Sequence, residues 1–141
     1  LAQFRRDFMS FNGYLIKAGT YEIPLSFMRY ETYQIGYHGQ DLDSYRDANG
    51  VLHRNALSHR IGKIEFNTPL MTMNEFQDVW SKVKAKYINA TEKSISLTFY
   101  VPELDDYVTQ TMYVPDIEFT IRNIDGNTVN IGETRIAFIA Y

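Results

Sequence analysis

The chain has no cysteine among its 141 residues. That removes disulfide frameworks, thiolate zinc sites and cysteine nucleophiles together. It leaves the compartment open, because a reduced cytosol and a virion shell both suit a chain without thiols. No uninterrupted apolar stretch approaches the roughly twenty residues of a membrane-spanning helix. Leu1 to Ser10 carries Arg5, Arg6 and Asp7 and lacks an apolar h-region, so it does not read as a signal peptide. A surplus of positive charge is missing too. Fourteen basic residues stand against seventeen acidic ones, a net charge of −3, whereas a duplex-DNA binder usually presents a basic face. There is no Gly-rich phosphate loop and no Gly-x-Ser-x-Gly elbow.

Aromatic side chains are what the sequence has in abundance. Eleven Tyr and nine Phe make up most of a 15% aromatic share. Both types favour strands, and Tyr is enriched where one protein surface meets another. The length suits one domain, able to bury roughly two-thirds of its unfolded surface without a metal or a disulfide.

Spacing along the chain assigns the elements. Leu1, Phe4, Phe8 and Phe11 fall on one side of a short helix or arm that must dock, either on its own domain or on a neighbouring subunit. Tyr14–Lys17 and Thr20–Ile23 read as short strands around Ala18-Gly19, with Pro24 ending the second. Thr32–Tyr37 alternates as a half-buried strand. His38–Ser58 is then a long polar loop containing the turn Asn49-Gly50, and loops of that length are usually functional or disordered. Arg60–Phe66 returns to strand.

One helix is predicted over about 73–88. Thr72 and Glu75 have the spacing of a capping box, and Phe76, Val79, Trp80, Val83 and Tyr87 share one face. Lys82, Lys84 and Lys86 lie where the helix dipole favours cations. The remainder is β: Ser94–Val101, the acidic turn Pro102–Asp106, a return through Tyr107–Val114, then Ile117–Arg122 and Thr134–Tyr141. In the last strand Ile136 and Phe138 point to one face and Ile139 and Tyr141 to the other. Two apolar faces imply a second cover beyond the domain's own core. Phe76, Trp80, Ile136 and Phe138 are the expected core anchors. Phe4, Phe8, Ile139 and Tyr141 are expected at a subunit interface.

Catalytic chemistry finds no constellation. His53 and His59 match neither a helical pair nor a zinc spacing. Aligning Gly50 with the sixth position of an EF-hand puts Tyr45 and Ala56 where carboxylates are needed. Glu103, Asp105 and Asp106 in a hairpin tip read as solvated acids, not as a glycosidase pair. The sequon Asn89-Ala90-Thr91 reads as a chance match. The expectation is a protein that is not an enzyme and has no cofactor or metal.

Two blocks carry a family resemblance. The first is Arg46-Asp47-Ala48-Asn49-Gly50-Val51-Leu52-His53-Arg54 with the strand Arg60-Ile61-Gly62-Lys63-Ile64-Glu65-Phe66. The second is Pro69-Leu70 with Thr72-x-x-Glu75, then Leu97-Thr98-Phe99-Tyr100 and Met112-Tyr113-Val114. In this order of features the chain resembles small structural tail proteins of siphophages from Gram-positive hosts, and the tail-tube and distal-tail (baseplate hub) superfamily. The aromatic N-terminal arm departs from that pattern.

The resemblance implies a mainly β (α+β) fold, a sandwich or barrel of about seven to eight strands flanked by one helix. Beside the arm over residues 1–12, which the spacing of its aromatics suggests, it implies one β-rich domain over residues 13–141. It further implies assembly with copies of itself in a ring, commonly hexameric, and contact with adjacent tail proteins. The ring encloses a channel that could carry DNA, without sequence-specific nucleic-acid contact and without a membrane. The protein would reside in the virion, after assembly in the bacterial host cytoplasm. Residues 38–58 would lie on the adjacent subunit, with Arg46, Asp47, Asn49, Gly50, His53 and Arg54 as contact candidates and the two arginines pairing with a neighbour's acids. Two alternatives are a head–tail connector or tail terminator ring and, from another class, a β-sandwich module for ligands or carbohydrate.

Overall fold

A computed structural model describes residues 11–141. The expected arm over residues 1–12, with Phe4 and Phe8, lies outside the described residues except for Phe11 and Asn12. In chain order the strands begin with β1 (Ile16–Ala18), β2 (Tyr21–Glu22), β3 (Gln34–Asp41), β4 (Tyr45–Arg46), β5 (Leu52–His53), β6 (Ala56–Asn67) and β7 (Met71–Thr72). The helix α1 (Met73–Lys84) follows. Then come β8 (Tyr87–Asn89), β9 (Ser94–Val101), β10 (Asp106–Tyr113), β11 (Ile121–Asp125), β12 (Thr128–Ile131) and β13 (Arg135–Ala140). The fold is mainly β with one α-helix among the described residues, besides two short 3-10 turns at Leu25–Phe27 and Tyr30–Thr32.

The largest sheet is antiparallel, ordered β2-β1-β9-β10-β13-β6-β3, with β8 also paired to β9. It curls enough to bring β3 back towards β9. Gly62 permits that curl. A Cβ at Gly62 would lie 2.6 Å from the Phe99 ring and 2.6 Å from Gln110 Oε1. A second sheet, β11-β12-β7, and the two-stranded β4-β5 complete the strands.

The core follows from the two periodicities, two in a strand and 3.6 in a helix. Ile95, Leu97, Phe99 and Val101 of β9 face inward together with Ile64 and Phe66 of β6 and Ile136 and Phe138 of β13. The apolar face of α1 closes over them with Phe76, Val79, Trp80 and Val83 buried. Trp80 has its ring centroid 6.2 Å from Phe138 and 6.5 Å from Phe27. Burying each such side chain contributes roughly 1.5–3 kcal/mol. At the helix start, Glu75 N donates to Thr72 Oγ1 and Thr72 N donates to Glu75 Oε1, both at 3.1 Å.

Two elements differ from the sequence expectation. The helix stops at Lys84 instead of reaching residue 88, because Tyr87 pairs opposite Ile95 in the sheet. Residues 38–58 are not a loop but a paired hairpin. Strands β3 and β6 run on through Gln40↔Leu57 and Asp41↔Ala56, and β4 and β5 pair through Tyr45↔His53 and Arg46↔Leu52. Most of this hairpin is exposed on both faces, so its residues carry no apolar alternation by which a sequence reveals a strand.

Candidate functional site

The hairpin arm built by β3–β6 is closed by its own polar side chains. Gly50, at φ +81°, adopts the left-handed backbone that turns the chain at the tip. Asp47 organises that turn: its Oδ1 accepts from the N–H groups of Asn49 at 2.9 Å and Val51 at 3.0 Å. Its Oδ2 lies 2.9 Å from His53 Nε2. The His53 ring stacks on Tyr45 with centroids 4.9 Å apart. Arg46 Nη1 donates to the Gly50 carbonyl at 2.9 Å. Thus the residues Arg46, Asp47, Asn49, Gly50 and His53 come together in one small knot.

Arg54 is paired within its own chain. Its Nε and Nη2 donate to the two oxygens of Asp41 in the same chain, at 3.1 Å and 2.9 Å, a bidentate pair across the arm. Arg46 and Arg54 therefore find partners inside their own hairpin, where the sequence suggested acids of a neighbour. Strand register explains this, because Asp41 pairs with Ala56 and so stands beside Arg54. Only knowledge of the pairing could have shown Asp41 as the partner of Arg54. The sequence reading also passed over Leu42, Tyr45, Val51, Leu52 and Leu57, the large apolar side chains that the arm leaves exposed.

The hydrogen bonds set the electrostatics. The His53 contact, with the Val51 and Asn49 amides behind it, holds the Asp47 carboxyl below its ordinary 3.8. The Arg54 guanidinium does the same for Asp41. A carboxylate lowered in the folded state stabilises the fold above its ordinary value, and the contribution is lost as pH falls through the folded value. The arm tip should therefore remain closed from neutral pH down to the ordinary carboxylate value of 3.8 and open only as pH falls further. Amide exchange at Asn49 and Val51 across that range is the measurement, and opening already near neutral pH would contradict it.

Elsewhere, Ile136 and Phe138 are fully buried, and Ile139 is half-buried on the opposite face of β13. Tyr141 is 52% exposed and lies against Tyr113 at 5.6 Å between centroids. The main chain of Tyr141 is tied to the arm's root, since its carbonyl lies 2.8 Å from His59 Nε2. Among the described residues no group of three His, Cys, Asp or Glu side chains is placed to hold a metal ion, and no helix is long and apolar enough to cross a membrane. Glu103, Asp105 and Asp106 are exposed in the β9–β10 turn.

Residues 9–141 match the family described as "Family of unknown function (DUF6711)". No curated protein matches the chain. Two solved structures share its fold at low sequence identity. One is a chain in the tail of an empty GTA particle, determined by helical refinement with C6 symmetry. Its TM-score is 0.55 at 11% identity, covering 94% of this chain and 95% of that one. The other is a chain in the virion of a native gene transfer agent (GTA) particle, with a TM-score of 0.53 at 12% identity, covering 92% and 91%.

Proposed function

From the premise that this chain belongs to the DUF6711 family, we propose that it is a structural, non-enzymatic subunit of a phage-like tail, working by packing on copies of itself and on adjacent tail proteins. The observation that carries this reading is the end-to-end correspondence with a tail chain, in which almost all of each molecule is covered. The C6 symmetry belongs to that particle; for this chain it motivates a six-membered ring, in the tail tube or at its distal end, around a channel wide enough for DNA.

The arm supplies the means of assembly. Its ion pairs are satisfied internally, so what it offers a neighbour is the apolar set Leu42, Tyr45, Val51, Leu52 and Leu57. Exposed ion pairs add only about 0–1 kcal/mol each, whereas these side chains gain on every Å² of apolar surface removed from water. Assembly takes place in the host cytoplasm, and the mature location is the virion.

The test is the mass of the purified protein in solution together with negative-stain images. Rings, and a mass several times that of one chain, are the expected result. A protein that stays monomeric at high concentration and binds a sugar would overturn it in favour of a carbohydrate module.

A further inference from the structure

A groove of about 520 Å³ runs between α1 and the segment following β10. Phe76, Trp80, Tyr87 and Phe119 contribute to its wall, and Lys84 and Lys93 stand at its rim. Lys93 Nζ also meets Asp116 at 3.1 Å, and Asp116 is itself almost wholly exposed. The groove joins an apolar interior to a cationic edge, the chemistry that receives an apolar side chain flanked by carboxylates.

The same chain carries such a segment. The β9–β10 turn reads Pro102-Glu103-Leu104-Asp105-Asp106, and Leu104 is 46% exposed at its tip between three acids. Two backbone bonds, Leu104 N to Val101 O at 3.0 Å and Asp105 N to Pro102 O at 3.1 Å, hold the tip in shape. Tyr100 Oη donates to Asp105, and Arg60 reaches Glu103 at 3.4 Å. The tip is rigid before it meets anything, so ordering it costs little on binding.

Position decides where these two features can meet. Lys93 immediately precedes β9, whereas the acidic turn follows its last residue, Val101. An eight-residue strand separates them, about 25 Å at the rise of an extended chain. The groove cannot take the turn of its own molecule, so an acidic turn that fills it must come from a second molecule. We propose that copies of this chain join head to tail, the β9–β10 turn of one copy seating Leu104 in the groove of the next, with Glu103, Asp105 and Asp106 against Lys84 and Lys93. A contact between different patches on identical chains does not close on itself when its operation is mainly a translation; it propagates as an open filament. In a ring-forming subunit it is the axial contact that stacks one ring on another. It rests on the reading of self-assembly above and adds the direction of growth.

Charge reversal tests it. Glu103→Lys with Asp106→Lys, or Lys84→Glu with Lys93→Glu, should leave rings but abolish their stacks in negative stain and sedimentation, and the four changes together should restore stacking. Because the chain has no cysteine, an independent test uses two exposed positions. Oxidising a mixture of Leu104→Cys and Ala90→Cys should give mixed disulfide dimers, and neither variant should cross-link efficiently alone. Rings whose stacks ignore the reversals, or a mixture without mixed dimers, would overturn the head-to-tail contact while leaving ring formation standing. Absence of rings, stacks and cross-links alike would overturn both.

Discussion

Replacing Trp80 with alanine should lower the free energy of unfolding by about 3–5 kcal/mol, the range for large buried aromatic residues. Trp80 is only 4% exposed, and its ring meets Phe27, Phe76 and Phe138. It is therefore the joint between α1, the turn after β2 and β13. Domains of this size have total stabilities of roughly 5–15 kcal/mol, so the variant should stand near the limit of folding. The midpoint in urea measures the effect, and a loss below about 1 kcal/mol would mean that α1 is not held by this face.

Excising the arm should have the opposite profile. Joining Asp41 to Ala56 through Asn-Gly keeps the last β3–β6 pair in register and supplies a two-residue turn suited to a hairpin. The removed residues make no part of the buried core. Circular dichroism and thermal unfolding should therefore remain close to those of the parent chain, while ring formation falls below detection. Rings that persist without the arm would place the lateral contact elsewhere. An arm deletion that unfolds the monomer would show that the hairpin supports the curled sheet.

The two experiments probe regions that differed in legibility. The helix face was readable because burial on one side imposes a period, and Thr72 with Glu75 marked its start. Its end was not readable: Tyr87 keeps the helical spacing but is taken by pairing with Ile95, and a non-local partner leaves no local mark. The strand β9 was equally plain, because its odd-numbered residues from Ile95 to Val101 are buried. The arm was the opposite case. Being wet on both faces, it had no reason to alternate, so only its turn residues Asn49 and Gly50 announced it. The pairing of Arg54 with Asp41 depends on register across the arm. Register is a property of the folded sheet and cannot be read from charges along the chain.

The continuity of β6 gives the arm a mechanical role. One twelve-residue strand begins at Ala56 in the projecting hairpin and ends at Asn67 beside the core, a span of about 40 Å. It lies between β3 and β13 in the sheet. Ladder hydrogen bonds run perpendicular to their strands, so tension on the arm along β6 shears the rungs on both flanks together instead of opening them one after another. Load entering through the arm is thus shared by Ile64, Phe66 and their partners in the body.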